Sequence, residues 1–190
     1  MKKNLYRLTI LLSMLVAVSC GSNLNDKERV IVGRWHYTVS KHMKEAFDEN
    51  SFITEYSFTT ESEDVFRSNY TEKDNGKATF SFHVEDEDYN NWIDMIYDIS
   101  YEGTWSVKGN QLILKGDKYE MGFSDFSSLQ KYNPDFDDYY IKVLKSIIEE
   151  QIPELRHESL KKRTQLIIDL SDDEMIVEED GEKLNMVRIE

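Results

Sequence analysis

One cysteine, two prolines and four histidines are all that 190 residues hold of those types. A single cysteine excludes an internal disulfide framework. Scarce proline argues against an extended or low-complexity chain. The histidines stand at 36, 42, 83 and 157, with no His-x-x-x-His and no Glu-x-x-His pair, so we expect no zinc site. Basic residues are also short, 23 Lys and Arg against 37 Asp and Glu, for a formal net charge of −14. A nucleic-acid binder needs the opposite balance, because it must displace counterions from phosphate. No Gly-x-Ser-x-Gly elbow and no phosphate-cradling glycine loop occurs. We expect no cofactor and no enzymatic activity. Paired carboxylates for glycoside hydrolysis arise by chance in so acidic a chain, and carry little weight.

What the chain does have begins with its leader, "MKKNLYRLTILLSMLVAVSC". Lys2, Lys3 and Arg7 precede an apolar stretch from Leu8 to Val18. About 20 residues are needed to cross a bilayer, so this run has the size of a secretory h-region instead. Ala17 and Ser19 are small, and Cys20 follows. "AVSC" resembles a bacterial lipoprotein signal, in which the cysteine is acylated and becomes the new N-terminus. It carries Ala17 where the commonest form has Leu, a substitution that the tolerant form of the motif accepts. The alternative is an ordinary signal peptide, with Cys20 an incidental thiol. On the lipoprotein reading, residues 1–19 are removed and 20–29 form a lipidated polar tether. The domain then spans 30–190 and carries a formal charge of −17, since three positive residues leave with the leader. The lipid bilayer is the expected partner. Gly21 in place of Asp points to the outer membrane of the cell envelope, with either face open.

Period-two alternation fills the rest. Gly33, Trp35, Tyr37 and Val39 share one face; Tyr97, Ile99, Tyr101, Gly103, Trp105 and Val107 share another. Phe52, Tyr56 and Phe58 alternate, as do Ala78, Phe80, Phe82 and Val84. Asn75-Gly76, Gly109-Asn110 and Asp180-Gly181 read as hairpin turns, and "LSDDE" separates two further strands. This predicts eight or nine antiparallel strands in sequential order. Only residues 136–163 follow a helical period, through Tyr140, Val143 or Leu144, Ile147, Ile148, Ile152 and Leu155. That amphipathic helix is expected to cover the sheet and to kink or break near Pro153. "HMKEAF" at 42–47 suggests a short helical turn.

With its leader, "VGRW", "YEGTWSVKGNQLIL" and closing "LNMVRIE", the chain resembles the lipocalin-like lipoproteins of Bacteroidetes, within the calycin group. The resemblance implies an up-and-down β-barrel, here with a helix inserted before the last three strands. It implies that Gly33, Trp35 and Arg188 form a barrel-closing motif, the arginine packing over the tryptophan. It implies an interior that holds a small apolar ligand, lined by Tyr37, Phe58, Phe80, Phe82, Tyr97, Tyr101 and Trp105. The same side chains could equally fill a solid barrel. The protein would then be a structural or docking module, acting through its helix or acidic loops. An envelope hydrolase ranks last.

Asp86, Asp88 and Asn90 have the opening spacing of a calcium loop, but Asn91 and Tyr97 stand where that loop needs Gly and Glu. Asp135, Asp137 and Asp138 more simply start the helix. No dedicated metal site is expected.

Overall fold

The structure, a computed structural model, describes residues 24–43, 51–130 and 133–189. Cys20, its leader and residues 44–47 of the suggested helical turn lie outside the described residues. Helix α1 (Asp26–Ile31) leads into β1 (Gly33–Met43), β2 (Ile53–Phe66), β3 (Thr71–Asp86), β4 (Tyr89–Lys108) and β5 (Gln111–Ser128). Helix α2 (Pro134–Leu160) follows, then β6 (Lys162–Leu170), β7 (Glu174–Glu179) and β8 (Glu182–Ile189). The eight strands are antiparallel, pair in sequence order, and close into a lipocalin-like barrel where β1 meets β8.

The inward positions follow from the alternation. On β2 the inward residues are even-numbered, from Phe58 to Phe66; on β3 they run from Glu72 to Phe82. Strands β2 to β5 are 14 to 20 residues long, whereas β6 to β8 are 6 to 9. The long half therefore overshoots the short half, and its inner face would be left bare. Helix α2 fills that place. Tyr140, Leu144 and Ile148 recur every fourth residue on one face and are buried against Phe80, Phe82, Ile93, Met95 and Tyr97. The helix runs without a break through Pro153. Its start is fixed by Asp137, fully buried, whose Oδ2 accepts from the Asn133 amide at 2.5 Å. Near its end, a Cβ on Gly116 would lie 2.8 Å from the Ser159 carbonyl oxygen, so glycine lets the helix cross β5 closely.

The other end of the barrel is sealed. Leu24 and Ile31 are buried with Trp35, Phe66, Trp105, Leu112 and Met175. Asn25 and Glu28 cap α1 reciprocally, at 3.0 and 2.8 Å. Residues 24–29 are thus part of the fold rather than of a tether: Leu24 and the α1 cap give them an apolar anchor and a local hydrogen-bond scheme.

The barrel-closing geometry is present. The Arg188 guanidinium lies 4.4 Å from the Trp35 ring centroid. It also donates to the carbonyls of Val32 (3.1 Å), Val30 and Asp172. A Cβ on Gly33 would stand 2.0 Å from Arg188 Nη1, so only glycine leaves room for it.

One expected turn is not a turn. Asn75 and Gly76 lie in the middle of β3, paired to both neighbours through Ser62↔Gly76 and Gly76↔Ile99. The chain reverses instead at Arg67–Tyr70, where Tyr70 has φ 61°. A Cβ at Gly76 would meet the Glu61 carbonyl oxygen at 2.4 Å, so the glycine serves a close strand approach. The turns at 109–110 and 180–181 stand where expected, the latter with φ of 52° and 82°.

Candidate functional site: the barrel interior

Between the sealed end and the mouth lies a cavity of about 580 Å³. Its apolar wall comes from Tyr37 and Val39 on β1, Phe58 and Phe66 on β2, Leu114 on β5, Val177 on β7, and Leu184 and Met186 on β8. Lys41, Asp180, Glu182 and Lys183 are exposed and mark the mouth, where Lys41 pairs with Glu182 at 2.7 Å.

Two of the seven expected lining residues, Tyr37 and Phe58, face this space. Phe80, Phe82 and Tyr97 point inward but lie further along the overshooting strands, where the α2 core covers them. Trp105 is buried in the sealed end, its indole donating to the Arg67 carbonyl at 3.1 Å. Tyr101 is buried beside the cavity, with Arg163 5.6 Å from its ring centroid. The aromatic list thus spans three environments, because each strand passes from one end of the barrel to the other.

The sequence reading missed the polar part of the interior. Asp64 on β2 and Asp74 on β3 are direct register partners, and Glu72 lies one inward position from Asp74. All three line the cavity, together with Arg163 and Gln165 of β6 and Glu179 of β7. Asp64 is 5% exposed and Glu72 3%. Tyr37 donates its hydroxyl to Asp74 Oδ2 at 2.6 Å. Arg163 stands 4.0 Å from Glu179, which also accepts from Gln165 at 3.0 Å. One strand-parity signal was available: Asp64 has the parity of Phe58 and Phe66, so it must face the same way.

Burial dominates the chemistry of these acids. It pushes the Glu72 carboxyl up to about 7, against the opposing pull of Arg163. Burial, then the negative charges of Glu72 and Asp74, push Asp64 well above the usual carboxylate range. Burial also raises Asp74, with the Tyr37 hydrogen bond opposing it. Three acids share one cavity with one nearby guanidinium, so ionisation of each is resisted by the others.

The acidic turn between β3 and β4 does a different job. Asp86 accepts from Tyr140 at 3.0 Å and Asn90 contacts His83 Nε2 at 3.1 Å, so these side chains are engaged separately. Asp88 is exposed on the turn. Among the described residues no three His, Cys, Asp or Glu side chains are placed to hold one metal ion. Asp137 serves the helix start as expected, Asp138 is exposed there, and the Asp135 side chain lies outside what is described. His36 and His83 are on the outer, wet face, where His83 contacts Trp92 and Thr54.

No protein-family model matches the chain, and no curated protein sequence matches it.

Proposed function

We propose that this protein is a lipid-anchored lipoprotein of the bacterial cell envelope whose lipocalin-like barrel binds a small molecule with an apolar body, without acting on it chemically. The observation that carries the binding is the cavity of about 580 Å³, closed at one end by the Trp35–Phe66–Trp105 core and open at the other. Pockets of this size and mixed lining suit ligands of small-molecule dimensions. The wall from Tyr37 to Met186 supplies the apolar contact, and the polar floor supplies orientation.

Native mass spectrometry of protein purified from its own envelope tests the binding. A co-purified small molecule, or saturable uptake of the neutral dye N-phenyl-1-naphthylamine, is expected. Neither being found would leave the barrel a docking module. The anchoring rests on the Cys20 motif and the Gly21 that follows it. Cys20→Ala should move the protein from the outer-membrane fraction to the soluble one; continued fractionation with membranes would refute the lipid anchor.

A further inference from the structure

The cavity floor has more carboxyl groups than the protein itself answers. Asp64, Glu72 and Asp74 line it, and each keeps one carboxyl oxygen, Oδ1, Oε2 and Oδ1 respectively, with no hydrogen-bond partner. Asp64 and Glu72 are more than nine-tenths buried, where a carboxyl oxygen ordinarily has a partner. The Arg163 Nε close by, a donor, is also without a hydrogen-bond partner, while the Ser62 hydroxyl interacts with Asp74 and the Tyr101 hydroxyl with Arg163. Arg163 is the cation whose charge reaches all three acids, yet its nearest carboxylate is Glu179.

We propose that the ligand is an amphipathic amine, with its ammonium seated among Asp64, Glu72 and Asp74 and its apolar body along Phe58, Leu184 and Met186. This rests on the reading of the barrel as a binding cavity and adds the chemical class of what it binds. An ammonium group offers three donors on a compact charge, and three acceptor oxygens from two neighbouring strands are unpaired. A metal ion fits less well: it needs its ligands closer together than an ammonium does, and among the described residues no three His, Cys, Asp or Glu side chains are placed to hold one. A carboxylate or phosphate headgroup is excluded by the sign of the floor. A purely apolar ligand would leave the acids as they are, buried and unanswered, at a cost that an ammonium removes.

The test is displacement of N-phenyl-1-naphthylamine by three ten-carbon compounds that differ only in headgroup: decylamine, 1-decanol and decanoate. At pH 7.5 in 0.5 M sodium chloride, which screens the acidic surface, decylamine should displace the dye at a concentration at least tenfold below that of decanol. Decanoate should be the weakest of the three. In Glu72→Gln, and separately in Asp74→Asn, the advantage of the amine over the alcohol should fall severalfold while the dye still binds. The wild-type comparison stands even if a variant does not fold. Equal displacement by amine and alcohol overturns the ammonium site and leaves the cavity reading intact. Displacement of decylamine by millimolar calcium chloride would assign the floor to a metal and overturn it too. No uptake of the dye at all overturns both readings together.

Discussion

Glu72→Gln isolates the cost of placing ionisable acids inside the barrel. Burial raises this carboxyl from its ordinary value of 4.5 to about 7. The folded state therefore keeps its proton to higher pH than the unfolded chain does. Its contribution to stability is complete below about pH 4.5 and is lost as pH rises through 7. At about 1.4 kcal/mol for each unit of separation, the whole loss is about 3 kcal/mol. Of this, about 2–3 kcal/mol falls between pH 5 and pH 8. Asp64 and Asp74 are raised as well, so they too destabilise the wild-type protein as pH rises. Gln cannot ionise and is nearly isosteric, so the variant should lack the Glu72 share. The assay is urea unfolding at both pH values, followed by the fluorescence of buried Trp35 and Trp105. With a urea slope of about 2–3 kcal/mol/M for a domain of this size, the wild-type midpoint should drop by roughly 1 M more than the variant midpoint between pH 5 and pH 8. Equal drops in the two proteins would refute the reasoning. A wild-type midpoint that rises over this range would refute it more strongly.

Two further substitutions test how the barrel is closed and twisted. Arg188→Ala removes the stack on Trp35 and the donors to three backbone carbonyls, and should cost about 2–4 kcal/mol. Arg188→Lys should recover little of it, since an ammonium cannot stack and fork together; thermal melts of the three proteins decide, and a neutral Arg188→Ala would contradict the account. Gly76→Ala places a methyl against the Glu61 carbonyl in mid-strand and should cost about 1–3 kcal/mol in urea unfolding, where an exposed turn would tolerate it.

Much of the architecture was legible because strand parity is a local property. Trp35, Phe82 and Trp105 each alternate with polar neighbours, and each is buried. The helix period through Tyr140, Leu144 and Ile148 identified the one segment that had to differ. The Asn75-Gly76 turn failed because the same dipeptide serves two needs. A hairpin wants its freedom at positive φ, whereas β3 wants the absence of a side chain where two neighbours press close. Residues 24–29 were read as solvated because their polarity hides a reciprocal cap, and because Leu24 alone reveals the burial.

The interior acids were harder to read for a physical reason. Charge is the usual mark of an outward position, and "ESEDVF" looks like a wet face. Only the parity shared by Phe58, Asp64 and Phe66 argues otherwise, and it conflicts with the ordinary cost of burying a carboxyl. Which inward aromatics line the cavity could not be read either. That depends on how far β2 to β5 overshoot β6 to β8, a comparison between strands that no single strand contains.

The measurement that most directly tests the central claim, that the barrel encloses an open binding space, is dye uptake by Leu184→Trp. Leu184 lines the cavity on β8, is only half-buried, and flanks the sealed-end core. A tryptophan there projects extra volume into the space. The account predicts that wild-type protein takes up N-phenyl-1-naphthylamine saturably, and that the folded variant loses at least tenfold in affinity. Unchanged dye affinity in a folded Leu184→Trp variant would place the binding elsewhere and contradict the claim.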